Sequence, residues 1–478
     1  MITQIEITGF KTFTDFVMEF SPLTVIAGTN ASGKSNLFDA LQLLSRIAET
    51  DLRTAFGEQR GDARELFTQY DNGEYAQKMS FKLEMLVDRT VRDNWGGEAE
   101  LKYTRLRYEL EIKHTVTERG MEELFVVREQ LEPLRHDHDE WVNRYLPPKT
   151  RTNWRPKVVT GKRGVPYIST EQLERERPAI VVPQDGKGGS RREFPLNSIS
   201  QTIVSGFNSV EFPHVLAAKE EMRSWKFLQL NPQALREPTR QDLGVRDTIS
   251  QQGNNLAAAL HRIKVTTPYA LKSISRRLNN LLPYLVEVDV LDDKANKQFI
   301  IQVRSEDGRE FSSRVLSEGT LRLLTLCVFQ HDDKHKGLMC FEEPENGIHP
   351  ARLREMAQLL RELSIDFADP DPDPAPLRQV LVNTHSPVLV EKFFDISRFP
   401  ALTVWLSQLV TRTFDVRERR IKLNVTKMLP VETESQLNSA GHITLNFPEP
   451  ERKMVLTQLT KYLSQADSEK TKLALGLV

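Results

Sequence analysis

Apolar and polar positions alternate through the opening of the chain, with Ile2, Ile5 and Ile7 followed by Phe16, Met18 and Phe20. A period of two predicts strands with one buried face. Leu23 to Ala27 is an unbroken apolar run that ends at Gly28, as expected of a strand buried on both faces. From Asn36 to Ile47 the spacing lengthens, and Leu37, Phe38, Leu41 and Leu44 fall on one face of a predicted helix. Alternation returns over Met79–Val87, Leu101–Ile112 and Leu124–Leu131, predicting an antiparallel sheet joined by polar turns.

Between about His136 and Ser200 the pattern dissolves into Pro, Gly and charge, including Leu146-Pro147-Pro148 and Gly186-Lys187-Gly188-Gly189. This stretch reads as an insertion. Helical spacing resumes over Pro213–Leu282, with Leu256, Leu260 and Ile263 on one face, and strands are expected at Val286–Val290 and Phe299–Val303. Asp369 to Pro376 is a surface loop, Leu402–Val410 and Ile421–Met428 are strand-like, and Glu451–Leu463 is expected to be helical. The chain therefore divides into 1–135 (first half of an α/β head), 136–210 (polar, basic insertion), 211–310 (helical arm and returning strands), 311–398 (second half of the head) and 399–478 (tail).

Charge changes this picture little. Lys and Arg number 65 against 66 Asp and Glu, so any nucleic-acid contact must come from a local patch. No run approaches the roughly 20 apolar residues of a spanning helix, and the N-terminus lacks the basic and apolar regions of a signal peptide. The expectation is a cytoplasmic protein without a membrane partner. Cys327 and Cys340 lie in apolar stretches and read as reduced core thiols; a zinc hook, which needs Cys-x-x-Cys, is excluded.

Three motifs carry chemistry. Gly28-Thr29-Asn30-Ala31-Ser32-Gly33-Lys34-Ser35 is a complete phosphate loop between a predicted strand and helix. Its backbone N–H groups can wrap a polyphosphate, Lys34 reaches the β and γ phosphates, and Ser35 can ligate Mg²⁺. Gly337-Leu338-Met339-Cys340-Phe341-Glu342-Glu343-Pro344 is an apolar strand that delivers two carboxylates at its end. Glu342 is assigned to the Mg²⁺ shell through water, and Glu343 to activating the attacking water. The third, Leu316-Ser317-Glu318-Gly319-Thr320-Leu321-Arg322, opens an apolar helix whose N-terminus can bind an anion. Taken alone, each has a plainer reading: a glycine-rich turn, a solvated strand end, a serine N-cap.

Together these runs resemble the ABC-type ATPases of the SMC, RecF and OLD (overcoming lysogenisation defect) group. The resemblance extends to Gly9-Phe10-Lys11-Thr12-Phe13, to Glu342-Glu343-Pro344-Glu345-Asn346-Gly347-Ile348-His349-Pro350, to Asn383-Thr384-His385-Ser386-Pro387 and, more loosely, to Gly253-Asn254-Asn255-Leu256-Ala257. It implies an ABC-type head with an antiparallel β subdomain, cofactors ATP and Mg²⁺, and a switch role for His385 at the γ-phosphate. It also implies homodimerisation around ATP, with Ser317 and Gly319 of one copy facing the phosphate loop of another. Four departures stand out. Glu342 replaces the Asp of most members, Gln201 is only a candidate for the Q-loop glutamine, and neither long heptads nor a C-terminal nuclease domain follows. The chain thus resembles nuclease-free relatives of the OLD group, implying an ATPase that regulates a separate effector, such as a nuclease, in anti-phage defence. The alternatives are a RecF-type ATPase acting on DNA and, further off, a transporter subunit.

Within the insertion, Arg144, Lys149, Arg151, Arg155, Lys157, Lys162 and Arg163 are interleaved with Trp141, Tyr145, Trp154 and Tyr167. Such a mixture can bind DNA or RNA, dock an acidic protein, or be a solvated loop.

Overall fold

A computed structural model describes residues 1–135, 139–156, 165–173, 177–184, 191–196, 199–242, 244, 247–370, 376–397, 400–416, 419–431 and 462. Several expectations fall outside these: the Gly186–Gly189 run, Lys157, Lys162 and Arg163, residues 371–375 of the acidic proline loop, and the helix expected at Glu451–Leu463 apart from Tyr462.

The strands that build and carry the site are β1 (Ile2–Thr8), β2 (Phe16–Glu19), β3 (Leu23–Ala27), β4 (Lys78–Leu86), β5 (Arg105–Val116), β6 (Glu122–Pro133), β7 (Lys226–Leu228), β8 (Gly337–Glu342), β9 (Arg378–Thr384), β10 (Leu402–Val416) and β11 (Arg419–Pro430). The alternating strands form one antiparallel sheet in the order β2-β1-β4-β5-β6. The apolar runs form a second, in the order β7-β8-β9-β3-β10-β11. In this sheet β7, β8, β9, β3 and β10 are parallel and β11 returns antiparallel to β10.

Burial on both faces explains why the second sheet's strands lack alternation. Val25, Met339, Phe341, Val380 and Val382 face one core, with the helices Leu256–Thr266, Pro268–Leu281, Glu318–His331, Leu353–Leu363 and Pro387–Ile396. Ile26, Leu338, Cys340, Leu381 and Trp405 face the other, with helix Lys34–Ile47 and the antiparallel sheet. Cys327 and Cys340 are free and buried, and burial pushes the Cys327 thiol up to about 12. Among the described residues no helix is long and apolar enough to cross a membrane.

Strands β10 and β11 join the second sheet. β10 runs parallel to β3, with Val404 opposite Val25 and Leu406 opposite Ala27, so the loop-bearing strand is enclosed between β9 and β10. The insertion also contributes core. Trp141, Tyr145 and Trp154 are buried with Met1, Leu86, Ile365, Phe367 and Leu377 in a satellite cluster, and Trp141 Nε1 donates to the Phe20 carbonyl at 2.7 Å. Arg144 forms a buried ion pair with Glu19, and Arg155 lies 3.2 Å from the buried Asp139.

Candidate functional site

Parallel strands deliver their C-terminal ends to one edge of a sheet, where open α/β folds gather ligands. Here Ala27 is opposite Thr384 and Glu342 is opposite Asn383. The phosphate loop, the paired carboxylates and His385 therefore converge, although the sequence scatters them over most of the chain.

The loop from Gly28 to Ser35 leads into helix Lys34–Ile47 with Ala31 at φ +62° and Gly33 at φ +90°. Glycine is required at position 33, because a Cβ there would collide with Thr426 Oγ1. No side chain caps this helix N-terminus, so its first-turn N–H groups keep their anion-binding capacity. Lys34 is buried and its ammonium donates to the Gly28 and Thr29 carbonyls at 2.9 and 2.8 Å. Burial lowers its pKa, while Glu343, Glu345 and Glu342 oppose that shift. Ser32 Oγ is buried without a hydrogen-bond partner, an unsatisfied polar atom in the loop. Thr29 and Asn30 are exposed at the loop's tip.

Ser35 Oγ donates to Glu342 Oε1 at 3.0 Å, tying the start of the helix to the end of β8. Glu343 follows with φ +45°, a conformation uncommon for a residue with a side chain. Its N–H donates to the Asn383 carbonyl at 2.8 Å. Asn346 Nδ2 donates to Glu343 Oε2 at 3.0 Å, and His385 Nδ1 lies 2.9 Å from Glu343 Oε1. Turn, amide and imidazole thus hold one carboxylate in place. Glu345, the third acid of the run, is held by the Thr384 hydroxyl, and burial raises its pKa.

Ser317 caps the helix Glu318–His331 by accepting from Thr320 N–H at 3.2 Å. At Gly319 an added Cβ would stand 2.8 Å from the Gly347 carbonyl, so the signature packs closely on the segment that follows the carboxylates. Among the described residues no hydrogen bond or ion pair joins Ser317 or Gly319 to the loop 28–35.

Sequence reasoning missed Gln229. It directly follows the edge strand β7, which pairs in parallel with β8, and it lines a narrow cleft with Ser35, Gln42, Arg60, Gln251 and Glu342. Gln201 does not line that cleft. The sequence offered only the apolar pair Phe227-Leu228 ahead of Gln229, with Asn231-Pro232 starting the next helix, too short a run to mark a strand.

Residues 23–391 match the family model described as AAA domain, putative AbiEii toxin, Type IV TA system. No curated protein matches the chain. Among solved structures it is similar to the SMC head domain from Thermotoga maritima, at 14% identity and a TM-score of 0.36, covering 90% of this chain and 99% of that one. It is also similar to an SmcHead bound to the C-winged helix domain of ScpA, at 13% identity and a TM-score of 0.47, covering 91% and 99%. For the Smc head domain with a coiled coil and joint from Pyrococcus yayanosii the identity is 12%, the TM-score 0.42 and the coverage 98% and 99%.

Proposed function

The chain belongs to the AAA-domain family described as putative AbiEii toxin, Type IV TA system, and from that premise we propose that it binds and hydrolyses ATP in a site shared between two copies. The observation that carries this reading is the junction of Ser35 Oγ with Glu342 Oε1 at 3.0 Å, flanked by Lys34 on one side and the His385–Glu343 pair on the other.

The residues suit the group they would hold. Among the described residues no cluster of three or more His, Cys, Asp or Glu is arranged to bind a metal unaided. Mg²⁺ is commonly held by one or two protein oxygens together with substrate phosphates, and the Ser35 hydroxyl and Glu342 carboxylate supply two. Mg²⁺ bound there would offset charge on the phosphate oxygens. The loop amides and the Lys34 ammonium bind and orient the polyphosphate. Glu343 accepts the proton of the attacking water at Oε1 or Oε2, with His385 holding the carboxylate and facing the γ-phosphate. Ser317, Gly319 and the positive N-terminal end of their helix complete the site of the second copy. Gln229 takes the Q-loop position beside Ser35 and Glu342 that Gln201 does not reach.

The same reading makes ATP the glue of a two-fold dimer, since one chain carries one loop and one signature. A separate effector as partner, such as a nuclease in anti-phage defence, rests on the resemblance to nuclease-free relatives of the OLD group. The test mixes Ser317→Arg with Lys34→Ala. Each variant alone has both composite sites broken, whereas their heterodimer regains one intact site. Partial recovery of phosphate release is expected; verified heterodimers that stay inactive would sink the shared site.

A further inference from the structure

Two hydroxyls of the β10–β11 hairpin reach the phosphate loop. Ser407 Oγ donates to the Ser32 carbonyl at 2.9 Å, and Thr426 Oγ1 donates to the same carbonyl at 3.5 Å. All three residues are buried, so this carbonyl has no water to turn to. The contact is extended by a chain of consistent polarity. Asn36 Nδ2 donates to Thr12 Oγ1 at 2.7 Å, and Thr12 and Thr426 share a hydroxyl–hydroxyl contact of 2.6 Å. When Thr12 is the donor in that contact, Thr426 is left to donate to Ser32. The Thr426 N–H also donates to the Thr12 carbonyl at 2.9 Å.

Geometry gives the contact a consequence. In a trans peptide the C=O and the following N–H point in opposite directions from one plane. Holding the Ser32 carbonyl against the hairpin therefore turns the Gly33 N–H away from the hairpin. The plane turns about the Ser32 ψ and the Gly33 φ, and Gly33, at φ +90° and without a Cβ, restrains it little on its own side.

We propose that Ser407 and Thr426 are positioning residues for the nucleotide: by fixing the Ser32–Gly33 peptide plane, the hairpin pre-orients an amide donor for a bound polyphosphate. This rests on the reading of the loop as an ATP site and adds the hairpin to it. Neither hydroxyl touches the reacting atoms. Their loss weakens ground-state and transition-state binding alike, so KM rises while kcat holds.

The test compares ATP binding by calorimetry and steady-state phosphate release for the full chain and for Ser407→Ala, Thr426→Val and Thr426→Ser. Ser407→Ala and Thr426→Val should each weaken ATP binding about fivefold, as expected for a buried carbonyl that loses one of its two donors, with kcat near wild type and Thr426→Ser behaving as wild type. ATP affinity within twofold of wild type in the folded Ala and Val variants would overturn the proposal, as would a Thr426→Ser defect equal to that of Thr426→Val. If either variant fails to fold, hydrogen exchange of the wild-type chain decides. Addition of ATP and Mg²⁺ should slow exchange in residues 402–430 together with the loop, and an unchanged hairpin would overturn the clamp. A wild-type chain that binds no ATP overturns the nucleotide reading and the clamp with it, whereas normal wild-type binding with unaffected variants overturns the clamp alone.

Discussion

His385 Nδ1 and Glu343 Oε1 lie 2.9 Å apart, joining the segments that follow two neighbouring parallel strands. Glu343 is held from its other side by Asn346, and its backbone takes the left-handed conformation that aims the side chain. His385→Ala removes one of two anchors, and the loss of a hydrogen bond to a charged group corresponds to roughly a tenfold fall in turnover. ATP affinity should change much less. Single-turnover phosphate release, compared with equilibrium binding, separates the two, and equal losses in both would show that His385 acts in binding alone.

Gln229 and Gln201 make opposite predictions. Gln229→Ala should lower Mg²⁺-dependent hydrolysis, because its side chain lines the cleft that contains Ser35 and Glu342. Gln201→Ala should leave hydrolysis unchanged. A titration of activity against Mg²⁺ in both variants checks this, and a defect confined to Gln201→Ala would reverse the assignment.

How much of this was legible follows from where the information lies. The phosphate loop, the carboxylate pair, the signature and the Asn383–Pro387 run are contiguous segments whose spacing encodes their chemistry, so they can be read without knowing the fold. Gln229 could not be read that way, because β7 is three residues long and its meaning comes from pairing with β8, far along the chain. Leu402–Val410 was recognisable as a strand, yet nothing local to it indicates that β3 is its neighbour. Trp141 and Tyr145 stand four apart on a short helix, a spacing that serves a stacking platform and a core face equally. Their partners Leu86, Ile365 and Phe367 come from elements distant in sequence and make them core.

That packing sets an expectation for the insertion. Arg144 and Glu19 are both buried, and burial raises the Glu19 pKa against the opposing pull of Arg144. Removing one partner of a buried pair costs roughly 3–5 kcal/mol because the other is left uncompensated. Arg144→Ala should therefore lower the denaturant midpoint strongly, and Glu19→Gln should partly restore it in the double variant. Weakened nucleic-acid binding with unchanged stability would instead place Arg144 in an interface.

Glu129 supplies a pH dependence. It is fully buried, accepts from Ile203 and Val204 N–H at 2.7 and 3.0 Å and from the Tyr108 hydroxyl at 3.1 Å, and burial pushes its pKa up to about 7. A carboxyl whose pKa is raised on folding binds protons more tightly in the folded state. Its contribution is complete below its ordinary value near 4.5 and is lost as pH rises toward 7. Glu129→Gln should flatten the decline in melting temperature between these limits by a few degrees. An identical pH profile for wild type and variant would remove Glu129 from the account.

The central claim, that this chain hydrolyses ATP with Glu343 as the base, is tested most directly by measuring ATP binding and phosphate release side by side in wild type and Glu343→Gln. The account predicts that the variant binds ATP as wild type does while phosphate release falls roughly a hundredfold or more, since the base is lost and the loop is untouched. Wild-type turnover in Glu343→Gln would contradict it.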